Sequence, residues 1–197
     1  MNIEVVESEL KKAAITLDRF NNNITIFGSA RVDSDSDLAK TAYQLGRRLS
    51  DQGFNVLTGA GPGIMRAANQ GAFEGKSSSI GLNIKLPKEQ IANPFLDQCL
   101  MFEHLFTRKV ALIKYADACV FFPGGFGTVD ELMEALALVQ TKKGKSIKIF
   151  LLGKAFWRPL ISFFKTLEQY QYIGQSDLEL FCIVDSIDNI IEKMKEQ

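Results

Sequence analysis

Ala118-Cys-Val-Phe-Phe-Pro-Gly-Gly-Phe-Gly-Thr-Val-Asp-Glu131 decides how this chain folds. Val120-Phe121-Phe122 is an apolar run suited to a buried central strand. Pro123 has no N–H to give a ladder, so the strand stops there. Gly124, Gly125 and Gly127 predict a turn of little bulk. A helical pattern starts at Thr128, with Leu132, Leu136 and Val139 on one face. Strand, glycine turn and helix in that order gather free backbone N–H groups and the positive end of a helix at one spot. Such a spot suits an anion, a phosphate above all. Gly124, Gly125, Phe126, Gly127 and Thr128 are the residues that would hold it. No Lys-Ser or Lys-Thr follows the glycines, so this is not a P-loop, and the spacing is not the dinucleotide fingerprint.

Glu131 follows Gly127 by four residues and Thr128 by three, on the same face of the expected helix. One helical turn rises about 5.4 Å, roughly the reach from a 5′-phosphate to the hydroxyls of the same ribose. Two readings stay open. Glu131 faces a sugar, or it only complements the helix dipole, as Asp130 and Glu134 also would.

Outward from this stretch, strand and helix patterns alternate. A helix from about Ser8 to Phe20 shows Leu10, Ala14, Leu17 and Phe20 on one side. Ile24 to Phe27 is a strand ending in Gly28-Ser29-Ala30-Arg31. A polar loop from Asp33 to Asp37 supplies N-cap candidates, and Leu38 to Gln52 is an amphipathic helix. Phe54 to Thr58 is a strand running into Gly59-Ala-Gly-Pro-Gly63, a second glycine turn, with a helix from Ile64 to Phe73. Ser79 to Ile84 and Gln98 to Phe102 are further strands, and the loop from Leu86-Pro87 to Pro94 is long enough to reach over a site. A helix covers His104 to Tyr115. Beyond Thr141 come a strand at 147–152, a helix at 156–170, a short strand at 181–184 and a last helix at 187–195. The pattern predicts an α/β fold with a mainly parallel sheet and helices on both faces. One domain over residues 1–197 is expected, with residues 1–22 as an N-terminal helical extension.

In open α/β sheets ligands bind beyond the carboxyl ends of the strands. Gly28-Ser29, the turn with Gly61 and Gly63, and Gly124 to Thr128 all belong to that rim. Each could be no more than a tight βα turn. Arg108 shares a helical arc with His104, Thr107, Ala111 and Tyr115 in a helix that is otherwise strongly apolar. The arc reads either as a solvated stripe or as the carrier of a guanidinium aimed at a phosphate or sugar. Lys109 reads as a solvated neighbour, and stands beside Arg108 as a candidate for binding the phosphate or ribose. Arg31 and Arg66 are weaker candidates of the same kind.

Net charge is formally zero with no block of like charge, which argues against a nucleic-acid binder. Three scattered cysteines and one histidine, His104, give no zinc pattern, and no metal or other cofactor is expected. The cysteines read as free thiols in a reducing cytoplasm. Neither a signal peptide nor a membrane-spanning stretch is evident.

Pro123 to Glu131 resembles the PGGxGTxxE signature of the Lonely Guy family, the cytokinin-riboside 5′-monophosphate phosphoribohydrolases. Gly59 to Asn69, Thr107-Arg108-Lys109 and Gly28-Ser29 fall where that family has its motifs. The resemblance covers nearly all of residues 24 to 184. It implies a Rossmann-like, doubly wound fold, a homodimer, and hydrolysis of the N-glycosidic bond of a nucleoside 5′-monophosphate such as AMP. It also implies that Arg108 and Glu131 are the catalytic pair and that Gly124 to Thr128 bind phosphate. Ala60 stands where many members have glycine and Arg66 where many have glutamate. Two other classes compete. One is a nucleotide-binding carrier similar to molybdenum-cofactor carriers. The other is a pyridoxal-phosphate lysine decarboxylase, which needs a Schiff-base lysine that no motif here supplies.

Overall fold

A computed structural model of the chain describes residues 2–85 and 91–195. The strands β1 (Asn23–Phe27), β2 (Asn55–Thr58), β3 (Ser79–Ile84), β4 (Gln98–Phe102), β5 (Ala118–Phe121), β6 (Lys148–Leu152) and β7 (Cys182–Val184) form one sheet. Its order is β4-β3-β2-β1-β5-β6-β7, and every neighbouring pair is parallel. The chain winds outward from β1 to β4, returns to lay β5 beside β1, and winds outward the other way. The junction of β1 and β5 is therefore the switch point, where crossovers diverge and leave a crevice.

Helices cover both faces, as the alternation predicts. The helices α2 (Asp37–Asp51), α3 (Ile64–Phe73) and α7 (Ile187–Lys195) bury Leu45, Leu49, Ala68 and Ile190 against Ile24, Ile26, Val120 and Phe122. On the other face, α1 (Ile3–Leu17), α4 (Leu105–Lys114), α5 (Phe126–Gln140) and α6 (Lys154–Gln169) bury Leu17, Leu112, Leu132 and Trp157 against Phe27, Cys119 and Phe121. Successive residues of β1 and β5 thus feed opposite cores, the period of two expected of a strand.

Three elements differ from the sequence pattern. α1 starts at Ile3, where the Asn2 side chain accepts the Glu4 N–H at 3.0 Å, and its buried face is Glu9, Ala13 and Leu17. Leu10 is exposed instead, so the stripe is rotated from the one expected. α5 starts at Phe126 with Gly125 as N-cap, so Phe126 and Gly127 belong to the helix and not to a turn before it. α4 is rolled so that its buried face, Thr107, Ala111, Leu112 and Ile113, takes in part of the expected polar arc. Thr107 and Ala111, on the polar arc, are buried, while Leu105, Phe106 and Val110 are exposed. The loop expected over the site lies, at residues 86–90, outside the described residues.

Candidate active site

The carboxyl ends of β1 and β5 are tied together. Phe122 N–H donates to the Phe27 carbonyl at 2.9 Å, and Ser29 N–H donates to the Pro123 carbonyl at 3.2 Å. Beyond them opens a cavity of about 860 Å³ lined from the ends of β1, β2, β3 and β5 and from α3, α4 and α5. Gly28, Ser29, Arg108, Lys109, Gly124, Gly125, Phe126, Gly127, Thr128 and Glu131 all line it. Gly61 and Gly63 do not. Gly61 is buried behind the rim, its carbonyl accepting from Asn93 Nδ2 at 3.3 Å. Gly63, at φ 64°, packs against the Ser29 and Ala30 backbone and faces a separate cavity of about 620 Å³ beside α2 and α3. Of the weaker candidates, Arg31 touches both cavities. Arg66 faces only the second and lies over the Phe95 ring.

One wall is the start of α5. Its first i→i−4 bond runs from Val129 N–H to the Gly125 carbonyl at 3.1 Å, and no side chain caps it. The amides of Phe126, Gly127 and Thr128 are thus the orphan donors of a helix N-terminus. A Cβ built on Gly125 or Gly127 meets nothing within 4 Å, so the bare backbone faces open space. Gly124 is different: a Cβ there would fall 2.1 Å from Thr128 Oγ1. The arrangement is an anion cradle with room left in front of it.

Arg108 forms the opposite wall. Its Nε donates to the Leu82 carbonyl at 2.8 Å and its Nη2 to the Gly59 carbonyl at 3.3 Å. Burial pulls the guanidinium below its usual value, against the opposing charge of Glu131, yet an arginine stays protonated at neutral pH. Gly59 makes this position available, because a Cβ there would lie 1.9 Å from Nη2. Sequence reading treated that glycine as part of a generic turn. The turn itself hangs on a buried polar network. Asn69 Oδ1 takes the Thr58 hydroxyl at 2.5 Å and Asn93 Nδ2 at 3.0 Å, Asn69 Nδ2 donates to Ser79 Oγ at 2.9 Å, and Thr58 Oγ1 accepts the Ala60 N–H at 2.9 Å. The available signal was Asn69 itself, a polar residue on the buried stripe of Ile64, Ala68 and Ala72.

Glu131 sits between the two walls. Its Oε2 is buried and has no hydrogen-bond partner among the described residues. Burial pushes its pKa up to about 7; Lys109 and Arg108 pull it down, and Glu134 and Asp130 add to the rise. Lys109 is not a solvated neighbour. Its Nζ pairs with Asp130 at 2.8 Å and Glu134 at 2.6 Å. Burial lowers its pKa, but those two hydrogen bonds outweigh burial and hold the ammonium above its ordinary value. An orphan carboxylic acid titrating near neutrality, an anion cradle and a partly desolvated guanidinium therefore share one cavity. This set can hold a phosphorylated ligand and move a proton beside it. Among the described residues, no cluster of three His, Cys, Asp or Glu side chains is placed to hold a metal ion.

A family model described as "Possible lysine decarboxylase" matches residues 65–194. The cytokinin riboside 5′-monophosphate phosphoribohydrolase LOG of Oryza sativa subsp. japonica is 24% identical over 181 residues, 90% of this chain and 74% of that protein. The pyrimidine/purine nucleotide 5′-monophosphate nucleosidase of Escherichia coli (strain K12) is 23% identical over 206 residues, 98% of this chain but 44% of that longer protein. Among solved structures, the molybdenum cofactor binding protein from Rippkaea orientalis has the same fold, with a TM-score of 0.69 at 22% identity over 90% of this chain and 98% of that one.

Proposed function

We propose that this chain, which belongs to the family described as possible lysine decarboxylase and resembles its Lonely Guy members, is a hydrolase of nucleoside 5′-monophosphates. It splits the N-glycosidic bond to give a free base and ribose 5-phosphate. One observation carries the reading: Glu131, whose Oε2 is buried and unpartnered among the described residues, lines the same cavity as the bare amides of α5.

The chemistry follows from that pairing. The 5′-phosphate sits on the amides of Phe126, Gly127 and Thr128, where the helix dipole adds to the hydrogen bonds. Fixing the phosphate orients the sugar. As the C1′–N bond breaks, positive charge grows on C1′ and the ring oxygen. Ionised Glu131 stabilises that charge and takes a proton from the water that attacks C1′, and the leaving base is protonated in turn. A pKa near 7 suits a group that must both accept and return a proton. Arg108 is tied to two carbonyls and directs its remaining donors at the ligand. Lys109 holds Asp130 and Glu134 and thereby limits the negative charge around Glu131. That same pairing keeps its ammonium protonated, the opposite of what a Schiff-base lysine needs.

The same reading includes a single domain, a cytoplasmic setting suited to three free thiols, and a homodimer joined through the apolar outer face of α4. The experiment is to incubate the purified protein with AMP and with adenosine and follow adenine release. AMP should be cleaved far faster. Equal rates would remove the phosphate from the mechanism, and tight AMP binding without release of adenine would favour a carrier.

A further inference from the structure

α1 carries a carboxylate where its buried face should be apolar. Glu9 precedes Ala13 and Leu17 at helical spacing, and all three are buried. Its Oε1 accepts the Glu103 N–H; its Oε2 accepts the Thr107 hydroxyl at 2.6 Å and stands 3.1 Å from His104 Nδ1. Burial would raise its pKa, but the hydrogen bonds from Thr107, Glu103 and His104 outweigh burial and hold it below the ordinary carboxylate value. Glu9 is therefore an anion at neutral pH.

Its partners all belong to the entrance of α4. His104 is the N-cap of that helix and makes no capping bond with its own side chain. Serine, threonine, aspartate or asparagine usually supplies that bond locally. Here the negative charge arrives from a helix 94 to 98 residues earlier in the chain and meets the positive end of α4. One residue beyond Thr107 is Arg108, whose N–H donates to the His104 carbonyl at 3.3 Å. The guanidinium thus has two anchors: the carbonyls of Leu82 in β3 and Gly59 after β2 hold its head, and the first turn of α4 holds its root.

We propose that Glu9 is a positioning residue for Arg108, and that α1 serves to clamp the first turn of α4. The inference rests on the role given to Arg108 above. A displacement of about 1 Å in a substrate-positioning group can cost roughly a hundredfold in rate.

Steady-state hydrolysis of AMP is compared for Glu9→Gln, Thr107→Val and the double variant, and for Glu9→Gln in an Arg108→Ala background. Glu9→Gln should lower kcat/KM by about 10- to 100-fold. The double variant should be no worse than Glu9→Gln, and Glu9→Gln should be silent once Arg108 is gone. Independent, multiplying losses would overturn the proposal. So would a lower Tm with kcat/KM unchanged. Should Glu9→Gln fail to fold, Thr107→Val in the wild-type and Arg108→Ala backgrounds makes the same comparison. A second readout does not need catalysis: amide exchange at Thr107 to Lys109 should speed at least about tenfold in Glu9→Gln, with α5 unchanged. A wild-type protein that cleaves no nucleotide would strike the proposed reaction, and the exchange measurement would still decide on the clamp, unchanged exchange refuting it.

Discussion

Replacing Glu131 with glutamine should make the protein more stable and less active at once. The amide keeps the shape of the neutral acid and removes its ability to ionise. Burial holds the Glu131 pKa near 7 against an ordinary 4.5. Below pH 4.5 the group is protonated in both folded and unfolded chains and contributes nothing. Between 4.5 and 7 the unfolded chain loses the proton while the folded one keeps it, so stability falls as pH rises. Above 7 the penalty is complete, at about 1.4 kcal/mol per pH unit of displacement, or about 3 kcal/mol. Glu131→Gln should recover that amount at pH 8, about 6 to 12 °C in Tm for a chain of this size, and almost nothing at pH 4.5. Turnover on AMP should fall by about 10²–10³, because the charge that answers the developing cation is gone. Denaturant melts at several pH values and a single adenine-release assay are enough. A stability gain that does not depend on pH would refute the buried acid, and AMP cleavage above about a tenth of the wild-type rate would refute its role.

Gly127→Ala should leave Tm unchanged or slightly higher, since alanine gains up to about 1 kcal/mol in a helix and its Cβ meets no protein atom; the KM for AMP should rise at least about tenfold as the methyl enters the phosphate's space, and an unchanged KM would show that the space is not used. Gly59→Ala should displace the Arg108 guanidinium, whose Nη2 lies 1.9 Å from the new Cβ, and cost as much kcat/KM as Arg108→Ala; full activity would mean that the contact with the Gly59 carbonyl is dispensable. Asp130→Asn removes a negative neighbour that raises the Glu131 pKa, so the acid limb of the kcat/KM profile should move to lower pH; an unmoved limb or a shift to higher pH would refute the assignment of that limb to Glu131.

The fold was legible because its signals are local. Alternation of period-two strands with amphipathic helices fixes a parallel sheet, and the stretch that holds Gly127, Thr128 and Glu131 lines one cavity. What was not legible depends on partners far along the chain. The arc of α4 reads either as a solvated stripe or as the carrier of a guanidinium, because nothing near Thr107 or Arg108 reveals that Glu9, Leu82 and Gly59 satisfy them from the inside. Glu9 itself looks like one more surface charge of a helix rich in Glu and Lys. α5 was read as starting at Thr128 because glycine is taken as a helix breaker, whereas Gly127 occupies the first turn of the helix. Ala60 shows the reverse failure: it holds φ 59° without being glycine, and its Cβ packs toward Gly81. Its N–H bond to Thr58 Oγ1 ties it to the Asn69 network, which no pattern of spacing announces.

Three choices around the cavity run against stability. Gly127 costs about 1 kcal/mol relative to alanine in a helix. Arg108 is desolvated with no carboxylate in hydrogen-bonding contact among the described residues. Glu131 is buried with an oxygen that no described residue satisfies. Local rules broken together at one place are characteristic of sites that do chemistry. The first two would also serve a protein that merely holds an anion, since bare amides and a guanidinium both attract phosphate. Glu131 does not fit that purpose. An ionised carboxylate beside a bound phosphate repels it, and Glu131, its pKa pushed up to about 7, ionises within the neutral range. A carrier would therefore lose both affinity and stability by having it. A glycosidase recovers the loss when a cation forms at C1′, because the repulsion in the ground state becomes attraction in the transition state. On the proposed reading the carboxylate answers a charge that the resting ligand lacks, which a hydrolase built on this fold needs and a carrier does not.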